Sequence, residues 1–121
     1  MQKKILIVDD DEVIRDAVRI SLIEEGHRIF EAEDGKKAFS IAKDVRPDLV
    51  ILDVMMPGMN GYRVCQEIKK DPDTAHAYVI FLTARGHSLT DDAVVESGGD
   101  DLINKPFMPA DLRDKVRSVL G

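Results

Sequence analysis

Short apolar runs alternate along the chain with stretches whose small and apolar residues recur every three or four positions. The runs fall at residues 5–8, 28–32, 49–52, 78–82 and 102–103. Four consecutive aliphatic residues, many of them β-branched, as in Leu49-Val50-Ile51-Leu52, mark a strand buried on both faces of a parallel sheet. The run at 28–32 is less apolar and suits a sheet edge. Between them, Val13, Ile14, Ala17, Val18, Ser21 and Leu22 carry a helical period, with Asp11 as N-cap and Glu24-Glu25-Gly26 as the stop. Asp34-Gly35 opens a second helix with Ala38, Phe39 and Ala42 inside, ending before Pro47. A third begins near Gly61, buries Val64, Cys65 and Ile68, and ends at Lys69-Lys70-Asp71-Pro72, where cations complement the helix dipole. Ser88 and Asp91 read as a capping box for a fourth helix around Ala93 and Val94, closed by Gly98-Gly99. Pro109 suits the first turn of a last helix with Leu112, Val116, Val119 and Leu120 inside, although Met108 is a poor cap. Strict β-α alternation predicts an α/β fold, a parallel sheet with helices on both sides.

In such a sheet the carboxyl ends of the strands share one edge, and ligand chemistry belongs there. Asp9, Asp10, Asp53, Thr83 and Lys105 all fall at strand ends. Three neighbouring carboxylates repel one another unless a cation joins them, and hard oxygen ligands suit Mg²⁺. The Pro57-Gly58 and Asn60-Gly61 pairs demand a turn after Asp53.

Composition narrows the partners. Seventeen basic against 23 acidic side chains give a formal charge of -6, which argues against direct contact with nucleic acid. With 44% hydrophobic and 33% charged residues, the 121 residues read as one soluble domain, 1–121. No signal peptide or membrane span is visible, and the single cysteine, Cys65, has no partner for an intrachain disulfide; a cytoplasmic setting is expected. His27, His76 and His87 lack the spacing of a metal site.

Four segments, residues 5–11 (Ile-Leu-Ile-Val-Asp-Asp-Asp) with Arg15 beyond, 52–61 (Leu-Asp-Val-Met-Met-Pro-Gly-Met-Asn-Gly), 82–84 (Leu-Thr-Ala) and 105–107 (Lys-Pro-Phe), closely resemble the receiver domains of bacterial two-component response regulators. The resemblance spans residues 4–120. It implies a flavodoxin-like (βα)5 fold, a doubly wound parallel five-stranded sheet of order 2-1-3-4-5. It implies a signalling phosphoacceptor rather than a turnover enzyme, with Asp53 phosphorylated from a phosphohistidine. Asp10, Asp53 and the backbone carbonyl of Met55 match the Mg²⁺ ligands, and Asp9 matches the residue that acts through a water. Thr83, Ala84, Lys105 and Leu102 match the phosphoryl-contact and switch positions. The implied partners are a sensor histidine kinase or histidine phosphotransfer protein, and an output domain or target on the face of the fourth helix, fifth strand and fifth helix. A phosphorylation-dependent dimer is compatible with it. A free-standing module and a piece of a longer regulator both fit.

The chain departs from the family pattern at three places. Leu102 stands where the family has an aromatic, so a rotamer switch of that kind cannot operate and the coupling must be weaker, different or carried by the loop. Arg85, two residues past Thr83, is placed to modulate loss of the phosphoryl group. Gly99 replaces a usual Ala and is expected to loosen the start of the fifth strand. The Lys105-Pro106 bond reads as a candidate cis peptide. Two other classes compete. An aspartate-nucleophile, Mg²⁺-dependent phosphohydrolase would want a second Asp soon after the first, where Val54 and Met55 stand. A non-phosphorylated pseudo-receiver has no aromatic pair with which to hold a flavin.

Overall fold

The computed structural model describes residues 2–56, 58, 60–84 and 90–121. Its elements run β1 (Lys4–Val8), α1 (Glu12–Leu22), a 3-10 turn (Ile23–Glu25), β2 (Arg28–Ala32), α2 (Gly35–Val45), β3 (Leu49–Asp53), α3 (Gly61–Lys70), β4 (Tyr78–Ala84), α4 (Asp92–Ser97), β5 (Asp101–Lys105) and α5 (Pro109–Leu120). The five strands form one sheet of order β2-β1-β3-β4-β5, with every pairing parallel. This is the doubly wound order the sequence resemblance implies.

The unbroken apolar runs follow from helices covering both faces. Because the strands are pleated, neighbouring residues enter opposite layers. Leu6, Val8, Val50, Leu52, Val79 and Phe81 pack with Ala38, Val64 and Ile68 on the side of α2 and α3. Ile5, Ile7, Leu49, Ile51, Ile80 and Leu82 pack with Val18 and Leu22 of α1 and with Leu112 and Val116 of α5. Three helices start on side-chain caps: Asp11 accepts from the Val13 amide at 2.9 Å, Asp34 from Lys37 at 2.7 Å and Asn60 from Arg63 at 3.0 Å. α5 starts instead on Met108 without a side-chain cap, with Pro109 in its first turn. Among the described residues no helix is long and apolar enough to cross a membrane.

Three sequence expectations need correction. α4 begins at Asp92 with Asp91 as its N-cap in extended backbone, φ -61° and ψ 137°, so Asp91 is not the third residue of a box opened by Ser88. Ser88 itself lies outside the described residues, as do Arg85, His87, Pro57 and Met59. β5 is longer than the apolar pair at 102–103, because pairing continues polar through Thr83↔Asn104 and Ala84↔Lys105. Hydrophobicity stops where the strand leaves the core, whereas the backbone ladder does not.

The third correction concerns Gly99. A Cβ there would lie 2.2 Å from Phe81 Cε2 and 2.9 Å from Cζ, so the glycine admits the phenyl ring rather than loosening the strand. Phe81 is fully buried and pairs in register with Leu102, and Tyr62 of α3 meets it edge-on with centroids 5.1 Å apart and planes at 68°. The aromatic missing at 102 is thus matched by one at 81 on the neighbouring strand.

Gly99→Ala is therefore expected to destabilise the fold by about 1–3 kcal/mol, the usual cost of overpacking, in urea unfolding. Combined with Phe81→Leu it should cost less than the two single changes summed, by at least about 0.5 kcal/mol. Strictly additive costs would show that ring and glycine are not interlocked.

Candidate functional site

Register assembles the site. Val8 lies beside Leu52, so the next residues, Asp9 and Asp53, emerge side by side at the carboxyl edge of β1 and β3. Asp53 lies beside Leu82, which puts Thr83 one step beyond it on β4, and Ala84 lies beside Lys105 on β5. Strand pairing alone converges residues separated by up to 96 positions.

Asp9 and Asp53 are buried and Asp10 is exposed, and one carboxylate oxygen from each lies within 4.8 Å of the others. At that separation each pair of charges repels by on the order of 3 kcal/mol at an effective dielectric of about 20. Lys105 relieves this: its Nζ lies 3.0 Å from Asp9 Oδ2 and 3.1 Å from Asp53 Oδ1. The Asp11 amide donates to Asp9 Oδ1 at 2.9 Å, and the Met55 amide makes a longer contact, 3.4 Å, to Asp53 Oδ1. Burial pushes the Asp9 carboxyl above its ordinary value, although the Asp11 amide and Lys105 pull it down. Burial works against the Lys105 charge, yet its hydrogen bonds to Asp9 and Asp53 hold the ammonium above its ordinary value.

Among the described residues, Asp9, Asp10 and Asp53 are the one set of three or more metal-ligating side chains close enough to share an ion. With oxygen donors only and one carboxylate open to solvent, the set fits a hard divalent cation that keeps part of its hydration. Thr83 is buried at the end of β4, and Ala84, one residue on, is exposed. The Met55 side chain points to solvent, 77% exposed, leaving its backbone as what it offers the pocket. Leu102 is not at this edge: it lies beside Phe81 and packs on the core beneath α3. The Lys105-Pro106 bond is cis.

Sequence reading missed a second use of Gly61. A Cβ on it would lie 2.2 Å from the Asp53 carbonyl oxygen, and its amide donates to the Val54 carbonyl at 2.9 Å. α3 therefore begins in contact with the backbone of Asp53, an approach open only to glycine. The Asn60-Gly61 pair signalled this but was legible only as a turn.

The family model described as "Response regulator receiver domain" matches residues 5–117. The chain is 44% identical over 121 residues to the "Probable transcriptional regulator ycf27" of Porphyridium aerugineum, covering 99% of this chain and 49% of that protein. Its fold superposes on chemotaxis protein CheY4 of Vibrio cholerae with TM-score 0.92 and 28% identity, covering 99% of this chain and 100% of that one. A putative response regulator from Chloroflexus aurantiacus gives TM-score 0.91 at 32% identity, covering 99% and 98%. The chain spans about half the length of the curated relatives it matches.

Lys105→Met, without added divalent cation, should cost about 1–3 kcal/mol near neutral pH, since it strands two buried carboxylates. The Asp9 pKa, already raised, rises further without the cation, so the folded variant takes up a proton more readily than its unfolded chain. Its deficit relative to the unaltered protein should shrink as pH falls from about 7 toward the carboxylate range. A deficit independent of pH in paired urea titrations would contradict this.

Proposed function

The chain belongs to the response regulator receiver family, and from that premise we propose that Asp53 accepts a phosphoryl group from a phosphohistidine and that residues 1–121 act as one receiver unit. The observation that carries the reading is the buried Asp53 carboxylate, 4% exposed, held at a strand end beside Asp9, Asp10 and Lys105. An Asp53 oxygen attacks phosphorus, the bond from phosphorus to the donor imidazole nitrogen breaks, and the imidazole leaves with the electron pair. The product is an acyl phosphate on Asp53. Such transfer asks for little covalent chemistry from the protein and much positioning and charge neutralisation.

Each residue then has a part. Asp10, Asp53 and the Met55 carbonyl would hold Mg²⁺, with Asp9 acting through a water, and the ion when bound supplies neutralisation of the acceptor and phosphoryl oxygens. Lys105, already bonded to Asp53, is within reach of an oxyanion built on that side chain. The Thr83 hydroxyl and the Ala84 backbone lie on the next strand, ready to meet the remaining oxygens. Once Asp53 is phosphorylated the group it carries brings roughly -1.5 to -2 charges, enough to draw a neighbouring hydroxyl and its loop inward. The change reaches an output through α4, β5 and α5, without the aromatic switch that Leu102 rules out. Arg85, outside the described residues, keeps its proposed part in modulating loss of the phosphoryl group.

The donor also needs somewhere to dock. Val13, Ile20 and Ile23 are 73%, 64% and 55% exposed and, with exposed Ala17, recur at helical spacing along α1 and the turn after it. An apolar stripe left in solvent beside an acidic pocket is an interaction surface, and a helix of the phosphohistidine donor suits it. Because the curated relatives are named transcriptional regulators and the chain spans about half their length, the output we assign is control of transcription, exerted beyond this acidic domain.

Intact-mass analysis after incubation with Mg²⁺ and phosphoramidate should find one added phosphate, on Asp53, and none in Asp53→Asn; phosphate elsewhere or none refutes the assignment. Ile20→Glu should slow transfer from a phosphorylated histidine kinase about tenfold, equivalent to one lost anchor of about 1.4 kcal/mol, while leaving the phosphoramidate reaction unchanged. Equal slowing of both would move the stripe's role from docking to folding.

A further inference from the structure

Arg15 matched the family pattern as one letter of a motif, and its contacts give it work of its own. On α1, one turn past the Asp11 cap, it sends its guanidinium back to β1: Nη1 donates to the Asp9 carbonyl oxygen at 2.6 Å. Its Nε faces Glu31 Oε1 of β2 at 3.4 Å, and the other Glu31 oxygen meets Arg19 Nε at the same distance. The Arg15 side chain is only 15% exposed. Asp9 is thereby held at four points, its amide donating to the Ala32 carbonyl at 3.2 Å, its carboxylate oxygens taken by Asp11 and Lys105, and its carbonyl by Arg15.

Among these, the guanidinium is the side chain that fixes the backbone of the peptide leading into Asp10. Asp10 itself is exposed, and its aim is set by its neighbours, with Asp9 pinned on one side and Asp11 capping α1 on the other. We propose that Arg15, braced by Glu31, is a positioning residue for the cation site: by clamping the Asp9 carbonyl it orients the Asp9 and Asp10 carboxylates toward a shared divalent ion. This rests on the Mg²⁺ reading of the acidic set given above. Groups that orient ligands from outside the first coordination sphere commonly govern metal affinity by about 10–100-fold. A planar guanidinium can serve the carbonyl and Glu31 together through separate nitrogens, whereas a lysine ammonium has neither the fork nor its rigidity.

Charge and position make opposite predictions, which gives a clean test. Coulomb's law alone says that removing a cation near a Mg²⁺ site strengthens binding, so Arg15→Gln should bind more tightly and Arg15→Lys should match the unaltered chain. The clamp predicts that both bind Mg²⁺ at least about tenfold more weakly in calorimetric titration. Glu31→Gln, which keeps the Arg15 contact to Asp9 and removes the ion pairs of Glu31 with Arg15 and Arg19, should show a smaller loss in the same direction. Amide hydrogen exchange at Asp10 and Asp11, measured without metal, should speed up in the Arg15 variants while that of Ile51 in β3 stays unchanged; this readout separates local loosening from general unfolding. Unchanged or tighter Mg²⁺ binding in both Arg15 variants, with the unaltered chain binding normally, overturns the clamp alone. Failure of the unaltered chain to bind Mg²⁺ overturns the cation reading and the clamp with it. Should the Arg15 variants fail to fold, wild-type affinity in Glu31→Gln would likewise refute the proposal.

Discussion

A lysine from the edge strand β5 reaches over β4 to a carboxylate on β3 and another beyond β1, and this three-way ion pair is what the rest of the site depends on. A parallel sheet gathers all its strand ends on one side, so any acidic residue placed there meets its counterparts in a partly desolvated setting. Asp9 and Asp53 are buried side by side and repel, and the order in which β3, β4 and β5 are neighbours brings Lys105 to both of them. The charges therefore report on correct assembly of the sheet. They also leave the pocket preorganised: donors and acceptors are fixed before any ligand arrives, so little rearrangement opposes binding.

Much of this was legible in the sequence because its signals were redundant. The runs at 5–8 and 49–52 read as doubly covered strands and are, and Asp11 and Asp34, read as helix openers, each accept the backbone N–H hydrogen bond that caps their helix. What was not legible depended on contacts between elements distant in the chain. The polar end of β5 looked like a loop because Asn104 and Lys105 break the apolar pattern, yet the ladder to Thr83 and Ala84 carries the strand past the core. Gly99 looked like slack because nothing in its own neighbourhood names the phenyl ring that fills its space. Asp91, read as an interior helix residue, is instead the cap. Arg15 and Gly61 carry functions visible only as a hydrogen bond to Asp9 and a close approach to Asp53.

The acidic pocket is thus a set of concentric supports. Asp9, Asp10 and Asp53 present oxygens; Lys105 and the Asp11 amide hold those oxygens; Arg15 and Gly61 hold the backbone from which they project. Asp53 ends β3 and Asp9 directly follows β1, both buried, while Asp10 and Met55 lie one and two residues further along, exposed on the connecting segments.

The fit of the Phe81 ring into the space left by Gly99 has a consequence for how this layer tolerates redesign. Trimming Phe81 alone hollows the layer and adding a side chain at Gly99 alone overcrowds it, so the two positions are coupled in stability. A redesigned core on this side of the sheet has to change both positions in one step.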